Sequence, residues 1–378
     1  MLDIRPSPDL IRIPGSHVPV LFGPGSLDQL GRRVRDIGGT RVVVVSDTGI
    51  RKAGHLGRAM RSLYQADLPT VLFDQVIENP TTRTVIECWR ATHKFKPDII
   101  IGLGGGSSMD TAKGFNFLYT NGGRMQDYQG RNKATQPMLP LVAIPTTAGT
   151  GSEAQSYALI SDAETHVKMA CGDEKTLAKL AILDPDLIAT APRAVAAATG
   201  IDAITHAIET SACTKRTDAS RELSLRAWQL LSGAFSRAMQ PDATLGGRLD
   251  MQLGAHLAGC AIENSMLGAA HAAANPLTAE FGITHGMAVG LMLPHVIRFN
   301  SADGENPYSD LHEDAGILAE RVTEFLGVVG FPARLRDLPV PEDVLPRLAA
   351  AAAKQWTATF NPRLVGEAEL LHIYQQAW

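Results

Sequence analysis

The stretch PDIIIGLGGGSSMDTAK (97–113) decides how the rest of the chain is read. Ile99, Ile100 and Ile101 form a β-branched run of the kind that fits a strand buried on both faces. The run enters three consecutive glycines, Gly104, Gly105 and Gly106, and then a helix-compatible segment over 107–118. Strand, glycine turn and helix in that order can cradle a phosphate. Glycine lets backbone N–H groups come close, the helix N-terminus adds its dipole, and Ser107 or Ser108 adds a hydroxyl. The pattern is neither Walker A, which needs Gly-Lys-Ser/Thr, nor GxGxxG. Read for structure alone it is a tight strand-to-helix turn.

Working outward, RVVVVSD (41–47), PTVLFDQV (69–76) and PLVAIPTTAGTG (140–151) are further strand candidates. Helix-compatible segments at 54–66 and 82–95 lie between them. Strands alternating with helices predict a mostly parallel α/β sheet, with ligands at the carboxyl ends of the strands. From about Pro192 the composition shifts to Ala, Leu, Met and His, and helical periodicity runs over 194–212, 221–239 and 249–265. RLAAAAAKQW (347–356) favours helix as well. DPDLIATAP (184–192), bounded by prolines, reads as the hinge. The expectation is an α/β dinucleotide-binding domain with a parallel Rossmann-like sheet over 1–189 and an all-α metal-binding, catalytic domain over 190–378.

With 378 residues, 45% hydrophobic and 20% charged, length suggests roughly two to three domains, and the chain has material for about one or two cores without disulfides. A net charge of −4 lacks the basic surplus of a nucleic-acid binder. No block of like charge marks a membrane patch. Cys88, Cys171, Cys213 and Cys260 contain no CxxC spacing, so free thiols in a reducing compartment are expected. The N-terminal MLDIRPSPDLIRIPG lacks an apolar signal core, and apolar runs are only a few residues long. A cytoplasmic protein without membrane contact is the expectation.

PTTAGTGSE (145–153) is a second small-residue loop at a strand end, rich in hydroxyl donors. Asp47 ends another strand, where a carboxylate can accept from a ribose 2′-OH and repel a 2′-phosphate, favouring NAD over NADP. A helix-capping or turn Asp is the plain alternative there. In TGIDAITHAIE (199–209), Asp202 and His206 stand four apart on an apolar helix, one face gripping one ion. His271 in GAAHAAANPL and His285 in GITHGMAVGLMLPHV sit beside small residues. One Asp and three His suit Fe(II) or Zn(II). An open coordination position would polarise a carbonyl. His295 reads as structural, and His55, His93, His166, His256, His312 and His372 lack supporting context.

ENPTT (78–82), GGGSSMDTAK (104–113), PTTAGTGSE, GIDAITHAIE (200–209), ITHGMAVGLMLPHV (283–296) and NPR (361–363) run in order along nearly the whole chain. Together they resemble the iron-containing alcohol dehydrogenase family, within the superfamily shared with dehydroquinate synthase. The resemblance implies a nucleotide-binding α/β domain, a helical metal domain and a cleft between them. It maps the metal ligands, and with them the catalytic centre, onto Asp202, His206, His271 and His285. It places pyrophosphate contacts at Gly104, Gly105, Gly106 and Ser107, with Asp47, Asn79, Asp110, Thr146, Thr147 and Lys168 among the other cofactor contacts. Where members of the family carry a second His four residues after the third ligand, this chain has Asn275, which cannot titrate. A proton relay would then use water, a ribose hydroxyl or another group. Gln155, Tyr157 and Asn275 are the candidates for the substrate pocket.

The function so implied is hydride transfer between NAD(H) and a small alcohol or aldehyde, with Fe(II) or Zn(II), in a homodimer or higher homo-oligomer. A same-fold lyase of the dehydroquinate-synthase type would need a cluster of Lys and Arg for an acidic substrate, and no concentrated basic set lies near the ligands. A non-catalytic nucleotide-binding protein would have no need of four intact ligands.

Overall fold

The computed structural model describes residues 4–165 and 167–378, so His166 lies outside the described residues. Strands are β1 (Ser7–Ile11), β2 (Val20–Phe22), β3 (Val42–Val45), β4 (Thr70–Phe73), β5 (Ile99–Gly104), β6 (Gly130–Arg131), β7 (Leu141–Pro145), β8 (Tyr157–Ser161), β9 (Lys168–Gly172) and β10 (Leu180–Leu183). Seven of them form one sheet in the order β1-β2-β10-β7-β5-β3-β4. All neighbours are parallel except β1, which returns antiparallel on β2. A mostly parallel sheet of this kind is covered on both faces, and every residue of β3, β5, β7 and β10 is buried.

The β-branched runs explain the centre of the sheet. Val42, Val44, Ile99, Ile101, Val142 and Ile144 share one apolar cluster with Leu56, Ala59 and Leu63 of the helix His55–Gln65. Each such side chain contributes about 1.5–3 kcal/mol by leaving water. Register places Gly102 beside Ala143 and Gly104 beside Pro145, so the glycine turn and the PTTAGTGSE loop leave the sheet side by side. The helix Gly106–Asn121 follows at once. A second small sheet, ordered β6-β9-β8, packs Ala158, Ile160, Met169 and Cys171 against Val85 and Phe117. This unit comprises the described residues up to Thr147 together with Gly151–Ala191.

The other unit comprises Ala148–Thr150 and Pro192–Trp378. Its central member is the helix Arg193–Ala212, buried at Ala197, Ala198 and every residue from Gly200 to Ala212. A helix buried on all sides belongs inside a bundle. It is surrounded by Asp218–Ala238, Leu245–Glu263 and His285–Asn300, with Ala269–Phe281 packed on the last of these. Gly286 makes the tightest contact. A Cβ there would overlap the carbonyl oxygen of Ala198 and lie 3.0 Å from its Cα. One turn on, a Cβ at Gly290 would overlap Ile201 and lie 2.9 Å from Leu326 Cδ2. Gly286 lets two helix backbones touch, and Gly290 leaves room for the Ile201 and Leu326 side chains. Among the described residues no helix is long and apolar enough to cross a membrane, and all four cysteines are free and buried.

Two stability predictions follow from this packing. Gly286→Ala meets rigid backbone, which no rotamer change can relieve, and should cost about 2–3 kcal/mol. Chemical denaturation reads this, and an unmoved midpoint would contradict the contact. His295 is pushed down to about 4 by burial, helped by Arg298 and Arg334, from an ordinary 6.5. The unfolded chain therefore takes up this proton first. The stability held by the neutral ring is present above pH 6.5 and is lost as pH falls towards 4. At about 1.4 kcal/mol per pH unit the loss is roughly 2–3 kcal/mol. His295→Gln should flatten the fall in urea stability between pH 6.5 and 4.5; an unchanged slope would mean the ring is charged in the fold.

Candidate functional site

The helix Arg193–Ala212 carries Asp202 and His206 one turn apart. His271 is the third residue of Ala269–Phe281, and His285 is the first residue of His285–Asn300. Three helices therefore deliver four side chains to one place. Asp202 Oδ1 lies 3.3 Å from His206 Nε2, 3.5 Å from His271 Nε2 and 3.9 Å from His285 Nε2. One ligand atom from each of Asp202, His271 and His285 falls within 4.8 Å of the others. The His206 and His271 rings stack at 4.9 Å and 17°. Asp202, His206 and His271 are at most 5% exposed, whereas the His285 side chain is 28% exposed.

A buried polar atom without a partner costs about 1–3 kcal/mol. Asp202 Oδ1 and His271 Nε2 are both such atoms. A cation between them would satisfy both, and one carboxylate with three imidazoles is a donor set that Fe(II) or Zn(II) accepts. The residues present fit the metal. Burial opposes charge on Asp202, yet His206, His271 and His285 hold its carboxyl well below the usual range. Burial also lowers His206. His271 is equally buried, but Glu209 and Asp202 together raise it to about 9.

Glu209 was not among the residues anticipated above. Its Oε2 lies 2.5 Å from His271 Nδ1, and it is 4% exposed. Asp202, His206 and Glu209 fall at i, i+4 and i+7, one stripe of a helix. That spacing was the available signal.

In the α/β unit, Gly104 has φ +151°, a conformation that L side chains rarely adopt, and no side chain caps the helix Gly106–Asn121. Its N-terminal donors suit an anion. Neighbouring residues gather here. Asn79 N donates to Ser107 Oγ at 3.3 Å, and Thr146 N donates to the Gly104 carbonyl at 3.0 Å. A Cβ at Gly105 would stand 3.7 Å from Thr147 Oγ1. Asp47 caps the helix Thr48–Lys52, with Oδ1 accepting from Ile50 N at 3.0 Å and Oδ2 from Ser108 Oγ at 3.3 Å. The capping role and proximity to the glycine turn thus coexist at Asp47.

Asp110 takes a different place. It is buried, its Oδ1 accepts from Ser152 Oγ at 2.8 Å, and burial raises its carboxyl despite Lys113, Ser152 and Lys168. Lys113 is 1% exposed and donates to the carbonyls of Ser152, Gln155 and Tyr157 at 2.7, 2.8 and 2.9 Å. These oxygens offset the cost of burying its charge. They also tie the segment holding Gln155 and Tyr157 to the helix Gly106–Asn121. Both those residues are half-buried, while Lys168 is exposed on β9. In the helical unit Asn275 lies one turn beyond His271 and donates from Nδ2 to Gln355 Oε1 at 3.0 Å.

The family model for iron-containing alcohol dehydrogenase matches residues 18–185. The model for the C-terminal part of the Fe-containing alcohol dehydrogenase family matches residues 196–378. The chain is 32% identical to 1,3-propanediol dehydrogenase of Citrobacter freundii over 372 residues, covering 94% of this chain and 96% of that one. It is 30% identical to the NAD-dependent methanol dehydrogenase of Bacillus methanolicus over 370 residues, covering 94% and 97%. A solved structure of 1,3-propanediol oxidoreductase matches with a TM-score of 0.91 at 32% identity, over 96% of this chain and 98% of that one. The chain belongs to the iron-containing alcohol dehydrogenase family and is an oxidoreductase that interconverts alcohols and carbonyl compounds.

Proposed function

We propose that this enzyme transfers hydride between NAD(H) and small primary alcohols, diols or aldehydes, with Fe(II) held by Asp202, His206, His271 and His285 and Zn(II) as the alternative ion. The observation that carries the reading is the buried cluster in which Asp202 Oδ1 and His271 Nε2 lack hydrogen-bond partners. Once bound, the ion supplies Lewis acidity towards a substrate oxygen, and the nicotinamide supplies or accepts the hydride. His285, the most exposed of the four, stands where the cluster opens to solvent.

The chain's own residues do the binding and positioning. Backbone N–H groups of Gly105, Gly106 and Ser107 receive the pyrophosphate, and Thr146 and Thr147 line the same turn. Asp47 accepts from the adenosine ribose, and Asn79 holds Ser107 in place. Asp110 and Lys113 act at one remove by fixing the Ser152–Tyr157 segment. Asn275 and Gln355 are an uncharged amide pair on the metal-bearing unit. Neither titrates, so proton exchange with the substrate oxygen runs through water or a ribose hydroxyl. Homo-oligomerisation and a cytoplasmic location belong to the same reading; light scattering tests the first.

The central test is anaerobic NADH oxidation by the Fe(II)-loaded enzyme against short aldehydes. Chelation should abolish turnover and Fe(II) should restore it. Asp202→Asn should lower kcat/KM by at least about 100-fold through loss of the ion. Turnover that survives complete metal removal would sink the reading. Cofactor choice gives a second test. Asp47→Ser keeps a capping oxygen and removes the charge, so the NADP-to-NAD ratio of kcat/KM should rise about tenfold or more. An unchanged ratio would move the ribose contact away from Asp47.

A further inference from the structure

The start of the helix Ala269–Phe281 raises a question of backbone accounting. Its N-cap is Gly268, which has no side chain to offer. The first N–H groups of a helix have no partner within the helix. Here they are met from far away in sequence. Ala269 N donates to Asn361 Oδ1 at 3.3 Å, and Ala270 N donates to Glu209 Oε1 at 2.7 Å. Glycine at 268 leaves room for both acceptors, since a Cβ there would sit 3.1 Å from Glu209 Oε1 and 3.2 Å from Asn361 Oδ1. Asn361 is itself anchored by a reciprocal amide pair with Asn300, at 2.7 and 3.1 Å, and Asn300 Nδ2 also donates to the Tyr308 hydroxyl at 2.7 Å.

The second oxygen of Glu209 does something else. Oε2 faces His271 Nδ1 at 2.5 Å. An imidazole that ligates through one nitrogen carries its proton on the other, and a carboxylate can only accept. Glu209 therefore holds a hydrogen on Nδ1, which leaves Nε2, 3.5 Å from Asp202 Oδ1, as the nitrogen that would face a metal ion. We propose that Glu209 is a positioning residue for the metal centre: one carboxylate sets the tautomer and direction of His271 and, through Ala270, the place of the helix that carries it. The proposal rests on the reading of Asp202, His206, His271 and His285 as metal ligands.

Glutamine at 209 cannot do both tasks. It has one acceptor oxygen for two donors. With that oxygen on Ala270 N–H, its NH2 faces Nδ1 and drives the ring proton to Nε2, blocking the ligand atom. With the amide reversed, NH2 faces the Ala270 N–H. Asn361→Ala provides the contrast, because it removes the neighbouring cap without touching His271.

The experiment is anaerobic titration of the metal-free full-length protein with Co(II), reading affinity by chelator competition and the ligand field from the visible spectrum. Glu209→Gln should weaken Co(II) binding about 10–100-fold and alter the visible bands. Asn361→Ala should lower the thermal midpoint with less than about a threefold change in affinity. In a His271→Ala background, Glu209→Gln should have little further effect on affinity, because its partner is gone. Glu209→Asp keeps two oxygens on a shorter arm and should lose less affinity than Gln. Unchanged affinity in Glu209→Gln, or equal losses with and without His271, would overturn the positioning role. Failure of the unaltered chain to take up one equivalent of Co(II) would instead overturn the metal reading, and the role of Glu209 with it.

Discussion

The contact of Gly286 with the Ala198 carbonyl is the constraint on which the helical unit turns. It brings the helix His285–Asn300 against the buried helix Arg193–Ala212 at backbone distance. Beside that approach, His285 Nε2 lies 3.9 Å from Asp202 Oδ1. Side chains at the contact would hold the helices at the usual 8–10 Å between axes or more. Because the contact lies one residue from His285, packing and site geometry are the same fact seen twice. This is why a methyl group at 286 is expected to act on stability before it acts on chemistry.

The electrostatics of the cluster work against the fold unless a cation is present. A buried carboxylate and three buried or half-buried imidazoles leave two ligand atoms unsatisfied, and the fold tolerates that cost at a place where Ile201, Ile204 and Ile208 could have packed an ordinary core. The cost is concentrated where the metal would relieve it. The α/β unit handles polarity differently. Lys113 and Asp110 are buried as well, but their atoms are met by Ser152 and by carbonyls of the following segment, so that cluster is complete without a ligand. Two buried polar clusters thus separate into a structural one and a candidate site by counting partners.

Much of this was legible in the sequence, and the exceptions have physical causes. The Val42–Val45 and Ile99–Ile101 runs announced β3 and β5 because strands buried on both faces need β-branched residues throughout. β2 and β10 are just as buried, yet they have three and four residues, and VLF or LAIL carries no periodicity that separates strand from helix. The sheet is therefore wider than the four strands anticipated, and its first strand is antiparallel. β8 (YALIS) and β9 (KMACG) are five residues each and carry no β-branched run that marks them as strands. The four metal-ligand candidates could be named because spacing on a helix and flanking small residues are local signals, and the packed helices bring them together. Glu209 was overlooked although it lies in the quoted GIDAITHAIE, because its meaning depends on Ala270 and His271, which are 61 and 62 residues away.

Asn275 shows how far a family resemblance carries and where the individual chain takes over. It sits four residues after His271, hence on the same face of the helix, one turn further from the cluster. Its amide is directed by Gln355, which comes from the segment between the helix Leu345–Ala353 and the turn Trp356–Phe360. The pair offers both a donor and an acceptor and no charge. A histidine at that position would add a group titrating near neutrality; the amide pair adds none. Position 275 therefore contributes no titrating group one turn beyond His271. The fold is shared across the family, but the reacting proton has to find its own route in this chain.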